Sequence, residues 1–319
     1  MELRRTRELL PTVIWRESSP STNAELRDLV REAAPGEALP DGTLLATANQ
    51  TAGRGRLDRG WVTPPDTAIA ASLLVRGFGS SGLGVGWLPL LTGSAVTAAL
   101  QPRFGEGMRV GVKWPNDVHV RGEEDAIAGR PGRKLCGILC EMIDPDTVIV
   151  GTGINLLIPE WELPTYRAAS LLSAGANLGA VPARGATADA AHEARLDPAA
   201  DLDPAADLDP ATDLDSAAGP GSVPTLADAT GRELADQVLA AYAGELRRLV
   251  ALAATDPGAA RARVARHSLT LGTEVRVHLP GGEIVDGRAR ELADDGSLVV
   301  DLPTGGTLTV SAGDVEHLR

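Results

Sequence analysis

Aromatic residues are nearly missing from this chain: Phe, Tyr and Trp together make up 3% of it. Any core must therefore rest on Val, Leu, Ile and Ala, and an apolar fraction of 43% is enough for a sizeable globular one. Cysteine is almost absent too. Cys136 and Cys140 stand four apart in a strand-like stretch, so alternation puts them on one face with Ile138 and Met142. Neighbouring same-face positions are too far apart for good disulfide geometry, and two thiols are too few for a metal site. The reading is a reducing, cytoplasmic setting. No apolar run approaches the roughly 20 residues needed to span a bilayer, so no membrane is expected. Arg4, Arg5 and Arg7 are followed by no apolar core or cleavage site, which excludes a signal peptide. Positive charge is in deficit as well. With 30 Lys and Arg against 43 Asp and Glu, the net charge is −13, which argues against a DNA- or RNA-binding surface.

The acidity is uneven. Three copies of a six-residue unit, LDPAAD, LDPAAD and LDPATD, begin at Leu196 inside an Ala/Asp/Pro-rich stretch, residues 181–224. Proline every six residues blocks a helix, and acidic self-repulsion without bulky apolar groups prevents packing. A disordered acidic insertion is expected there. On either side the pattern is orderly. Strands are expected at 43–49, 67–75, 108–114, 117–120, 134–143 and 147–155, and helices at 22–33, 83–100, 232–253 and 257–266. Thr22 followed by Glu25 reads as a capping box opening the first helix. After His267, short apolar runs separated by Pro-Gly-Gly, Asp-Asp-Gly and Thr-Gly-Gly predict a small antiparallel barrel. The fold class is α+β: a catalytic domain, 1–266, with the 181–224 insertion, and a compact all-β domain, 267–319.

Four strings carry chemistry. Gln50-Thr51-Ala52-Gly53-Arg54-Gly55-Arg56, continuing to Arg59 and Trp61, combines glycines that let backbone approach an anion with arginines that can clamp carboxylate or phosphate oxygens. Such a loop repels itself when empty and orders around an anionic ligand. In Val112-Lys113-Trp114-Pro115-Asn116-Asp117 a strand delivers Lys113 and the proline breaks the ladder, presenting Asn116 and Asp117. Lys113 offers a charge for a phosphate, and Asp117 a ligand for Mg²⁺. Lys134 enters the strand Lys134-Leu135-Cys136-Gly137-Ile138-Leu139. In Gly151-Thr152-Gly153-Ile154-Asn155 the glycines allow a flat ligand close to the backbone, and Asn155 can pair with a purine edge. The third glycine of a dinucleotide fingerprint is missing.

In this order and spacing the strings resemble the biotin–protein ligase family, in a short form without its N-terminal DNA-binding domain. The resemblance implies a mixed-sheet catalytic domain of the biotin/lipoate ligase type with an SH3-like C-terminal barrel. It also implies formation of biotinyl-5′-AMP from biotin and ATP with Mg²⁺. Transfer to a lysine of a biotin carboxyl carrier domain of a biotin-dependent carboxylase follows. By resemblance, Ser21, Thr22, Asn23, Gln50, Arg54, Gly55, Arg56, Trp61 and Lys134 bind biotin. Arg59, Lys113, Asn116, Asn155 and Ala169 bind ATP or the adenylate, Asp117 the metal, and Arg56, Lys113 and Lys134 act in catalysis. Ligases of this kind can pair through a central sheet, so monomer and homodimer both stay open. A lipoate–protein ligase or octanoyltransferase is the nearest alternative, and a non-catalytic biotin sensor a more distant one.

Deleting residues 184–221 should leave biotin transfer and melting temperature nearly unchanged, because so polar an insertion adds no core. A melting temperature lowered by more than a few degrees in differential scanning calorimetry would show that it packs on the fold.

Overall fold

Along the central strands, successive side chains point to opposite sides, and each side finds its own cover. Leu44, Leu73, Val148 and Val150 face the main core, while their neighbours Leu45, Leu74 and Ile149 join Leu26 in a smaller cluster on the other side.

A computed structural model describes residues 1–34, 36–56, 59–179, 223–279, 282–311 and 313–318. All but the last two residues of the insertion expected at 181–224 lie outside the described residues. The chain opens with α1 (Arg4–Leu9), β1 (Thr12–Arg16), α2 (Thr22–Glu32) and β2 (Thr43–Thr47), followed by two short strands, β3 (Gly53–Arg54) and β4 (Gly60–Trp61). Then come β5 (Ala68–Arg76), α3 (Leu88–Leu100), β6 (Arg109–Lys113), β7 (Asp117–Arg121), α4 (Glu123–Ile127), β8 (Arg133–Asp144) and β9 (Thr147–Asn155). Helices α5 (Ala229–Thr255) and α6 (Pro257–His267) lead to β10 (Glu274–His278), β11 (Ile284–Leu292), β12 (Leu298–Asp301), β13 (Thr307–Val310) and β14 (Asp314–His317).

Seven strands form one sheet in the order β1-β2-β5-β9-β8-β7-β6. Only β1 and β2 run parallel, which makes the sheet mixed, as expected. Helices α3 and α5 supply Leu91, Val96, Leu239, Tyr242 and Leu246 to the main core on one face. Helix α2 covers only part of the other face, and the uncovered part becomes the floor of the site. The second domain is a five-stranded antiparallel sheet, β13-β12-β11-β10-β14, the compact β unit read from the turns after His267.

Two local expectations change. The first long helix is capped by Ser21, whose Oγ accepts from the Ala24 amide at 3.4 Å. Glu25, expected to complete a box from Thr22, turns instead to Arg16 and to the Ser19 hydroxyl, which donates to it at 2.8 Å. Of the four residues placed on one face of β8, Cys136 and Ile138 are buried and Cys140 half-buried, but Met142 is exposed, beyond the reach of the helices. Both cysteines are free, and burial pushes the Cys140 thiol up to about 12.

The scarce tryptophans fasten the two domains. The Trp87 indole donates to the carbonyl of Asp294 at 2.9 Å, and the Trp114 indole to that of Gly296 at 3.1 Å. Both grip the Asp-Asp-Gly turn between β11 and β12, where Gly296 sits at φ +87°.

Burial at the junction has a pH signature. His267 ends α6 with Nδ1 2.8 Å from the Ser94 hydroxyl, and burial, then Arg263, push its pKa down to about 4. The unfolded chain binds this proton near pH 6.5 and the folded one does not, so stability is full above 6.5 and falls as the pH drops towards 4. Thermal melts of wild type and His267→Asn between pH 7.5 and 4.5 should show a shallower acid loss in the variant. The difference should be on the order of 2 kcal/mol.

Candidate active site

Beyond the apolar patch under α2, the sheet is paved with glycine. Ile149, Gly151, Gly153 and Asn155 alternate down one face of β9; all four are buried, with α2 packed on Ile149, and the other three line a cavity. Gly153 stands opposite Gly137 on β8, and Gly151 opposite Leu139. A side chain on Gly151 would meet Asn23 Oδ1 at 2.3 Å, and one on Gly153 would meet the Trp61 indole at 2.4 Å. The flat group on these glycines is thus the protein's own Trp61. Above this floor lies a cavity of about 1100 Å³, bounded by α2, the Gly/Arg loop, the β7–β8 connection, residues 164–168 and strand β14.

One end is neutral and rich in hydrogen bonds. Thr22 donates to Gln50 Oε1 through its amide at 2.9 Å and its hydroxyl at 3.2 Å. Asn23 donates to the Leu139 carbonyl at 3.1 Å and to Glu141 at 2.7 Å. Beneath them the fully buried Ser72 hydroxyl donates to Asn23 Oδ1 at 2.6 Å. Sequence reading missed Ser72. Its signal was a lone hydroxyl in the apolar run Ala68–Arg76.

The middle is cationic. The two-stranded ribbon β3–β4 pairs Gly53 with Trp61 and Arg54 with Gly60, so the loop returns on itself over the floor. Arg56 donates to Asn116 Oδ1 at 3.2 Å, and Asn116 is locked in turn by its Nδ2, which donates to the Ile138 carbonyl at 2.7 Å. The Gly/Arg loop and the Lys-Trp-Pro-Asn-Asp string, far apart in sequence, therefore meet. Lys113 donates to the backbone carbonyl of Val315 at 2.7 Å, and burial pushes its pKa below the usual lysine range. Arg59 pairs with Asp314.

Lys134 Nζ sits 2.7 Å from Asp117 Oδ1 and 5.6 Å from the centre of the Trp61 ring. Burial alone would push the Asp117 carboxyl up, but His119 and Lys134 hold it well below the usual carboxylate range. Asn155 Nδ2 donates to the Ala169 carbonyl at 2.9 Å, while its Oδ1 is buried without a partner among the described residues.

Ser21, Thr22, Asn23, Gln50, Arg54, Gly55, Arg56, Arg59, Trp61, Lys113, Asn116, Asp117, Lys134 and Asn155 all line this one cavity. Ala169 does not; it is fully buried behind the wall, and Ala168 takes the lining position. Strand β14 and His119 line the cavity too, and neither was read from the sequence.

Comparison with known proteins is consistent along the chain. The model of the Biotin/lipoate A/B protein ligase family matches residues 15–155, and that of the Biotin protein ligase C terminal domain matches 270–318. The biotin–[acetyl-CoA-carboxylase] ligase of Mycobacterium tuberculosis is 35% identical over 301 residues, 94% of this chain and 86% of that protein. The bifunctional ligase/repressor BirA of Bacillus subtilis is 31% identical over 149 residues, 45% of this chain and 40% of that protein. In fold, the chain is similar to the biotin protein ligase from Aquifex aeolicus in complex with biotin and ATP. The TM-score is 0.60 at 22% identity, covering 97% of this chain and 100% of that one. With the ordered strings gathered into one cavity and 35% identity sustained over 94% of its length, the chain belongs to the biotin–protein ligase family.

Proposed function

We propose that this cavity condenses biotin with ATP to biotinyl-5′-AMP and passes the biotinyl group to a lysine of a biotin carboxyl carrier domain, that of a cytoplasmic biotin-dependent carboxylase. The observation that carries the reading is the union, over one glycine floor, of a neutral hydrogen-bonding end with a cationic middle. Biotin has that polarity: a neutral ureido ring at one end and a carboxylate at the other. No helix among the described residues is long and apolar enough to cross a membrane.

Residues 1–266 carry the chemistry, and 267–319 close one side of the cavity with β14. Ser21, Thr22, Asn23, Gln50 and Gly55 meet the ureido ring, and Trp61 covers the aliphatic tail. Arg54, Arg56 and Lys134 screen the carboxylate as it approaches the α-phosphate, two anions that could not otherwise meet. One carboxylate oxygen bonds to the α-phosphorus, the bond to the β-phosphate oxygen breaks, and pyrophosphate leaves. Arg59 and Lys113 hold the phosphates, with Asn116 fixing Arg56 between them. Asn155 offers its buried Oδ1, unpartnered among the described residues, to the exocyclic amine of adenine, and Ala169 fixes Asn155 through its carbonyl. In the second step the carrier's amine attacks the acyl carbon, releases a proton to solvent and expels AMP. No side-chain nucleophile is required, because the mixed anhydride is already activated.

Mg²⁺ bound by the protein does not fit these residues. Asp117, the expected ligand, is engaged by Lys134 at 2.7 Å, and the described residues contain no cluster of three His, Cys, Asp or Glu able to hold a metal.

The direct test incubates the purified chain with ATP, an apo carrier domain and either radiolabelled biotin or radiolabelled lipoate. Biotin should be retained on the carrier and lipoate should not; the reverse would reassign the enzyme. Two variants should then fail differently. Arg56→Ala removes a contact to biotin's carboxylate made before and after adenylation. Calorimetric biotin affinity should fall by roughly 1.5–3 kcal/mol. Lys113→Ala should slow single-turnover adenylate formation far more than it weakens biotin binding, since Lys113 meets charge that develops at the phosphates. Equal loss of biotin affinity in both, with adenylation intact in Lys113→Ala, would refute this division of roles.

A further inference from the structure

The acidic side chains of the cavity wall have a common property. Asp117, Asp125, Asp314 and Glu316 line it, and each is matched to a cation. Asp117 pairs with Lys134 at 2.7 Å, Asp125 with Arg130 at 2.7 Å, Asp314 with Arg59, and Glu316 with Arg167 at 3.8 Å. None is left as the open, oxygen-rich corner a hard divalent ion requires. We propose that Asp117 is the positioning residue of Lys134 rather than a metal ligand, and that any divalent ion enters this site only on the phosphates of the nucleotide. The proposal rests on the biotin–ATP reading above and assigns a role within it.

The backbone shows how the pair is built. Asp117 faces Gly137 across the β7–β8 ladder, and an irregularity between Val118 and His119 brings His119 opposite Lys134. Gly137 has no side chain, which leaves room for the lysine stem. A Cβ there would lie 3.2 Å from both Lys134 Cε and Nζ, and 2.9 Å from the Trp61 ring. The ammonium is thus bordered by the Asp117 carboxylate, the bare backbone of Gly137 and the Trp61 ring, and stays partly open to the cavity. On the far side of Asp117, His119 is buried, with Nδ1 3.2 Å from the Gly132 carbonyl and Nε2 3.9 Å from Oδ2, where it has no hydrogen-bond partner among the described residues. A metal at Asp117 would have to displace one ammonium and then face a second, that of Lys113, whose charge also acts on this carboxylate. Without the carboxylate, a lysine on a four-carbon stem has many rotamers and no reason to keep its Nζ over the floor.

The test uses the full chain and two readouts. The first is Mn²⁺ titration followed by electron paramagnetic resonance. Wild type and Asp117→Asn should bind no Mn²⁺ at millimolar concentration without nucleotide, and both should bind it with a non-hydrolysable ATP analogue. Saturable binding to nucleotide-free wild type that disappears in Asp117→Asn would overturn the proposal.

The second readout is a double-mutant cycle on biotin affinity and adenylation rate. Asp117→Asn and Lys134→Met should each lower biotin affinity, by roughly ten- to a hundredfold for a lost charge-assisted contact. The double variant should be no worse than Lys134→Met alone, and the Mg²⁺ concentration at half-maximal adenylation should be the same in Asp117→Asn as in wild type. Additive losses, or a Mg²⁺ midpoint moved upward, would overturn it. Asp117→Glu, which keeps a carboxylate, should recover part of the affinity; should Asp117→Asn fold poorly, failure of the Glu variant to outperform Lys134→Met counts against the proposal. If wild type bound no biotin at all, the function reading would fall, while the Mn²⁺ titration would still decide whether Asp117 holds metal.

Discussion

Two glycines face each other on neighbouring strands, Gly137 on β8 and Gly153 on β9, and the cavity is arranged over the bare backbone they leave. With a methyl group at either position the Trp61 indole could not lie where it does, since a Cβ would meet it at 2.9 Å or 2.4 Å. Lys134 would lose the space its stem crosses, and the loop that carries Arg54 and Arg56 would lose its landing. One steric vacancy therefore sets the position of an aromatic ring, a cation and the Gly/Arg loop together. Substitution by alanine at Gly153 would act through geometry rather than through any lost interaction.

The second constraint is the seam between the domains. A chain with five tryptophans uses two of them to hold a single β-turn through indole donors, at Asp294 and Gly296. Trp114 lies between Lys113 and Asn116 in the same string, so the residue that anchors the barrel also fixes the frame from which two site residues project. Domain docking and site geometry are in that sense one packing problem.

Most strands of the two sheets could be read in advance because they carry apolar runs bounded by turn residues. The exceptions share a physical cause. Thr12–Arg16 is an edge strand with one buried residue, and Asp314–His317 likewise buries only Val315, so neither shows an apolar run. The site was legible where glycine, arginine and lysine cluster within one string. It was illegible where meaning depends on a partner from another strand. Asp117 reads as a metal ligand when only its own string is visible. The β7–β8 ladder, with its irregular register, brings Lys134 to it and changes the chemistry. The helix cap shifted by one residue for a similar reason: Glu25 found Arg16 and Ser19 rather than the helix start.

The link between Lys113 and β14 is made to a main-chain oxygen, the carbonyl of Val315. Every residue type supplies that oxygen, so no amino-acid replacement at 315 can delete the acceptor, and drift of the side chain there leaves the contact intact. What the contact does register is the placement of the strand. Val277 faces Val315 in the β10–β14 ladder, and a slip of one residue would turn the carbonyl away from the lysine. The ammonium is therefore indifferent to the composition of the C-terminal strand and sensitive to its register, so insertions and deletions near the chain's end should prove far more damaging than point changes.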